Sequence, residues 1–290
     1  MNRTFGKLLL ASLAAFVGLN GCIQFGHSTT LFPDGSGKVT MQVGFKKSMI
    51  KMMEEMGKSM GAEEKMDPLS EFTDPAKLKE TGEGIVAWTA PKRDEDNDWI
   101  KLSFTGYFED INQVKIYNKN PQPGAEAERK VAFDFKYERT SGGGGTLTMN
   151  NGATEDLSKM APGGEEGQNN PEMAKAMLEM MKPMLEGMKV SFTVKVPGPV
   201  QEAGGLEKKD NTASFSIDGD TMIAAMGNPE GPEAKKLKEM SASKEGKVTW
   251  KETTVSSAET AAFKKELSEA KEAWQKMLDE AKKKEPKKEE

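Results

Sequence analysis

Residues 23–45 read IQFGHSTTLFPDGSGKVTMQVGF, and their pattern decides the class of fold. Val39, Met41, Val43 and Phe45 alternate with polar residues at a period of two, as the buried face of a strand does. Asp34-Gly35 and Gly37 supply turn chemistry between two strand-like runs, so the stretch is a hairpin. Directly after it the period changes. In KKSMIKMMEEMGKSMG the residues Met49, Met53, Met56 and Met60 fall on one helical stripe, with Ile50 and Met52 flanking it.

The same alternation of patterns continues along the chain. Asp74-Pro75 opens a short helix through Glu80, with aspartate as N-cap and proline in the first turn. GIVAWTAP and WIKLSFTGYF read as strands joined by the acidic turn KRDEDND, with Ile100, Leu102, Phe104 and Phe108 on one face. INQVKIYN continues as a strand, and KVAFDFKYE sets Val131, Phe133, Phe135 and Tyr137 on one side before GGGG (142–145) turns the chain into TLTM. Met173, Met177, Met180, Met184 and Met188 form a second methionine stripe, with Pro183 breaking or kinking that helix. KVSFTVKVPGPV and NTASFSIDG then pair: Val190, Phe192, Val194 and Val196 answer Ala213, Phe215 and Ile217. KVTWKETTV is a last strand. A final helix from Ser257 carries Phe263, Leu267, Ala270, Trp274 and Met277 on one stripe.

Strand pairs alternating with helices argue an α+β fold, a mainly antiparallel sheet with methionine-rich amphipathic helices and a C-terminal helix. The expected organisation is a leader over 1–21, an α+β body with polar loops over 22–226, a linker and last strand over 227–256, and a C-terminal amphipathic helix with a charged tail over 257–290. That helix lies beyond the domain-like region, so it is expected to face a partner or dock loosely. Residues 119–128, 152–170 and 279–290 are rich in Pro, Gly, Asn and charge and read as solvated loops or tails.

The first residues say where the protein goes. Arg3 and Lys7 form a positive start, and Leu8 to Leu19 an apolar run too short for a bilayer, which needs about 20 residues. This is the form of a secretory signal. It ends in Leu19-Asn20-Gly21-Cys22, and Cys22 is the only cysteine of the 290 residues. The segment resembles the lipobox of bacterial lipoproteins, although Asn20 stands where that motif prefers Ala, Ser or Thr. The resemblance implies acylation of Cys22, which would become the first mature residue and tether the protein to a membrane. Ile23 follows it; an aspartate there would favour inner-membrane retention, so the outer membrane or cell surface is expected. An unpaired exposed thiol would otherwise be a liability in an exported chain.

TTLFPDGSGKVTM, KLSFTGYFEDINQVK and VSFTVKVPGPVQEAGG with NTASFSI together resemble the LppM-type domain of bacterial lipoproteins, over about residues 23–219. The resemblance implies a membrane-tethered α+β domain with proposed lipid or envelope interactions and no established enzyme chemistry. The methionine helices and residues 227–290 lie outside it.

Composition narrows the function. The formal charge is −5, and loss of residues 1–21 removes Arg3 and Lys7, leaving −7. Nucleic acid, which needs a basic face, is not an expected partner. His27 is the only histidine, five residues from the expected lipid, so a histidine-based triad is a poor reading. Asp94, Asp96 and Asp98 form D-x-D-x-D, but Trp99 and Thr105 stand where a calcium loop needs Gly and Glu. Met49/Met52, Met53/Met56, Met177/Met180 and Met181/Met184 are M-x-x-M pairs, and thioethers suit Cu(I). Each pair also lies on an amphipathic stripe, where methionine packs as an adaptable filler. The reading is a non-enzymatic envelope protein without a cofactor, held by lipid on Cys22 and binding an apolar ligand or a protein partner. The alternative is a copper-type metal-binding protein using the M-x-x-M pairs.

Overall fold

A computed structural model describes residues 23–59, 70–118, 130–151, 179, 182, 185–228, 230–236 and 245–284. The opening hairpin forms as the alternation requires: β1 (Ile23–Leu31) and β2 (Gly37–Lys46) pair antiparallel around the DGS turn. Gly35 takes φ +87° there, a conformation that a side chain would strain. Gly37 is needed for space, since a Cβ on it would stand 2.1 Å from the Thr30 carbonyl oxygen.

The chain runs from β2 directly into α1 (Lys47–Ser59), then α2 (Ser70–Thr73) and α3 (Pro75–Lys79). Asp74 caps α3 by accepting from Ala76 N. Short strands β3 (Gly82–Glu83), β4 (Ala87–Trp88) and β5 (Lys92–Glu95) lead to the long β6 (Trp99–Phe108). The GIVAWTAP strand is therefore shorter than expected; Pro91, which has no N–H to give to a ladder, separates β4 from β5. Conversely, Lys92–Glu95, expected in a turn, is a strand. It pairs with β6 and all four of its side chains are exposed, so charge is tolerated there. INQVKIYN also divides: Ile111–Gln113 is a 3-10 turn capped by Asp110, and only β7 (Lys115–Asn118) is extended. The remaining strands are β8 (Lys130–Arg139), β9 (Gly145–Asn151), β10 (Lys189–Lys195), β11 (Val200–Glu202), β12 (Glu207–Lys209), β13 (Thr212–Asp218) and β14 (Glu245–Trp250). Helices α4 (Gly219–Gly227) and α5 (Ser257–Lys284) complete the order.

The fold is α+β, with two sheets. The first has the order β12-β13-β10-β1-β2-β6-β4, with β5 also on β6; the second is β11-β14-β9-β8-β7-β3. The pairing is antiparallel except between β1 and β10, which run parallel. Register puts Val190, Phe192 and Val194 opposite Ile217, Phe215 and Ala213, as their alternation requires. The inner face of the first sheet meets the second sheet in one core that joins Met41, Phe104, Phe192 and Val194 to Phe135, Leu147, Met149 and Val248. At the far end of β2 that face is covered instead by α1, whose Met49 packs with Val43, Phe45, Ile100 and Leu102.

The C-terminal helix corrects an expectation. It is not loosely docked, and its apolar stripe is turned to the chain's own core: Phe263, Leu267 and Trp274 are 2%, 8% and 6% exposed and belong to the main core. Phe263 stacks on Phe32 at 4.2 Å between centroids and lies against Tyr107. Its start carries a capping box, Ser256 Oγ accepting from Glu259 N while Glu259 Oε2 accepts from Ser256 N. Glu266 receives Lys38 Nζ at 2.7 Å and the Tyr107 hydroxyl at 2.8 Å, from two residues that face each other across β2 and β6. Partial burial pushes the Glu266 carboxyl pKa up, but those hydrogen bonds outweigh it and hold the group below its usual value. Of residues 227–256, expected as a linker and last strand, β14 is inserted between β11 and β9, with Val248 and Trp250 in the core.

Candidate binding site

Strand β1 is the natural place to look for chemistry, because its alternation turns His27 and Thr29 to the inner face, beside Phe25 and Leu31. The structure puts His27 between the sheets. Its ring stacks on Phe192 of β10 at 4.9 Å and tilts against Phe133 of β8 at 5.2 Å, with Phe135 at 6.4 Å. Nε2 is 2.8 Å from Thr29 Oγ1, and Nδ1 has no hydrogen-bond partner. The residue is 2% exposed. Burial in this apolar surround lowers the imidazole pKa to about 4, so the ring is neutral at physiological pH. A general base must reach its substrate's proton; this one is sealed beneath phenylalanine rings. His27 is a core residue with one satisfied nitrogen.

The acidic hairpin tip is occupied with itself. Asp96 Oδ1 accepts from the backbone N–H groups of Asp98 and Trp99, and Oδ2 takes Lys101 Nζ at 3.1 Å. Those hydrogen bonds, the two backbone ones foremost, lower the Asp96 pKa. Its lone pairs serve the turn, and no group of three or more His, Cys, Asp or Glu side chains converges on a metal-sized site among the described residues.

The two methionines of the Met49/Met52 pair differ in burial. Met49 is 1% exposed, inside the α1 cluster, whereas Met52, one turn further along the helix, is 42% exposed. The side chains of Met53 and Met56, and the pairs Met177/Met180 and Met181/Met184, lie outside the described residues. So does Cys22, one peptide bond before β1. No helix among the described residues is long and apolar enough to cross a membrane.

An apolar concave surface lies between α5 and β4. Trp88 and Met277 supply its large groups, Ala90, Ala270 and Ala273 leave it open, and Thr89, Lys276 and Glu280 rim it, enclosing about 360 Å³. The helical stripe of α5 was legible in the sequence. The groove was not, because its two walls are about 180 residues apart in the chain and only the docking of α5 on β4 brings them together.

The sequence matches no protein-family model and no curated protein. The fold is similar to the NMR structure of the folded domain of Mycobacterium tuberculosis LppM, over 83% of this chain and 94% of that one, with 10% identity and a TM-score of 0.34. That likeness is too loose to transfer any residue or role.

Proposed function

We propose that this chain is a lipid-anchored envelope protein with a binding rather than an enzymatic role. The observation that carries the reading is the charged and apolar leader that closes on the chain's one cysteine, Cys22. A single acyl chain holds a membrane only marginally, whereas two or more anchor it stably. Replacing Cys22 by Ser is expected to abolish incorporation of a palmitate analogue and to move the protein from the membrane to the soluble fraction. Label and fractionation that survive the substitution would remove the anchor from the reading.

The binding role belongs to the groove between α5 and β4. Its alanines leave an apolar floor within reach of solvent, and its rim carries one cation and one anion, so an uncharged apolar group fits it better than an ion. Ala273 is exposed on α5, so Ala273→Trp fills the mouth without entering the core. Titration with Nile red, an uncharged apolar dye, is expected to give saturable single-site binding, weakened about tenfold or more by Ala273→Trp; a difference of that size is about 1.4 kcal/mol. Absence of saturable binding, or equal binding by the variant, would dismiss the groove.

A further inference from the structure

The place where β1 begins fixes which end of the molecule meets a lipid anchored at Cys22. Consecutive Cα atoms are about 3.8 Å apart, and Ile23 is already the first residue of β1, an interior strand of the first sheet. There is no slack between anchor and sheet. The edge that flanks this start is set by register: Gln24 lies opposite Gly44 of β2 and Lys189 of β10, and Lys46 of β2 lies opposite Trp99 of β6.

The side chains at that end, Lys46 and Trp99 on the outer face of the sheet and Lys51 and Met52 on α1 over its inner face, are those that suit a water–lipid boundary. Lys46 Nζ stands 5.8 Å from the centroid of the Trp99 ring. A Cβ on Gly187 would be 3.1 Å from Trp99 Cζ2 and 3.2 Å from Lys46 Cε, so the turn at Gly187 comes close to the indole and the lysine stem. Gln24 Nε2 donates to the Gly187 carbonyl at 3.4 Å. Trp99 is half-buried, while Trp88, Trp250 and Trp274 are 1%, 3% and 6% exposed. Just past the end of β2, α1 exposes Lys51 and Met52, and Met52 is the exposed large hydrophobic residue among the described side chains. Indole rings favour the headgroup layer, and lysine stems lie along apolar surface while their ammonium groups stay in water.

We infer that this end of the first sheet rests on the lipid surface, with Trp99 and Met52 in the headgroup layer and Lys46 and Lys51 beside them. The inference rests on the anchoring of Cys22 proposed above. It predicts a fixed orientation of the domain on its membrane rather than free tumbling on a leash.

The single thiol allows a test that does not depend on native acylation. The mature chain from Cys22 onward is coupled through that thiol to vesicles of phosphatidylcholine and phosphatidylglycerol containing a maleimide-headed lipid, with and without brominated acyl chains. Brominated vesicles are expected to quench part of the tryptophan emission, and Trp99→Phe is expected to remove that quenching. Met52→Asp, on an exposed helix position, is expected to reduce it while leaving the far-ultraviolet circular dichroism unchanged. Equal emission on both kinds of vesicle would overturn the inference, as would quenching that persists in Trp99→Phe. Failure of native acylation would show separately, in the labelling of Cys22→Ser, because here the tether is chemical.

Discussion

Truncation after Ser256 is expected to abolish the cooperative unfolding transition. The deletion removes Phe263, Leu267 and Trp274 from the main core. Each such burial stabilises by roughly 1.5–3 kcal/mol, so about 5–9 kcal/mol leaves a protein whose whole stability is of the order of 5–15 kcal/mol. The deletion also uncovers Phe32, Tyr107 and Trp88, which would favour aggregation, and strips Lys38 and Tyr107 of their shared carboxylate. The measurement is urea unfolding followed by circular dichroism and tryptophan emission. Full-length protein is expected to give a sigmoidal transition, and the truncated chain a shallow drift or precipitation. Phe263→Ala gives a graded version, with an expected loss of about 3–5 kcal/mol. A truncated chain that keeps the full-length midpoint would make α5 an appendage.

The second expected result concerns acid. His27 titrates near 6.5 in an unfolded chain and at about 4 in the folded protein. Between those values the unfolded chain holds a proton that the folded chain refuses. Stability therefore falls as pH drops from about 6.5 to about 4, and the loss levels off below that. At 1.36 kcal/mol per pKa unit the full loss is about 3 kcal/mol. Carboxylates with lowered folded pKa values, such as Asp34 and Glu266, act in the same direction but only as pH falls through the ordinary carboxylate range and below. His27 is the only histidine, so the slope between pH 6.5 and 5 belongs to it. The double variant His27→Phe/Thr29→Val removes both partners of the buried hydrogen bond together, which avoids stranding one of them. Its urea midpoint is expected to be flat between pH 6.5 and 5, where the wild type loses stability. An equal slope in both proteins would mean that the ring is hydrated or charged in the folded state.

Much of this architecture was legible because it is local. The β1–β2 hairpin, the face of β6, the pairing of β10 with β13 and the stripe of α5 each follow from a period of two or 3.6 and from turn residues, which report what a segment buries but not against what. The leader and Cys22 are also sequence facts, since a lipidation signal is read as a peptide before the protein folds. Tertiary structure decided what depends on contacts across long loops. The parallel pairing of β1 with β10 joins residues about 165 apart; no local pattern encodes it, because a strand buried on one face offers the same alternation to any neighbour. Insertion of β14 between β11 and β9 is of the same kind. So is the role of α5: an amphipathic stripe fits a partner or its own core equally well, and it is the apolar surface of Phe32, Tyr107 and Trp88, which α5 covers, together with the Glu266 contacts to Lys38 and Tyr107, that selects the core. His27 also needed the second sheet. Alternation set it on the inner face of β1, but its neutrality comes from Phe133 and Phe135, carried there by a strand more than a hundred residues later, whose rings shut out the water that a charged imidazole would require.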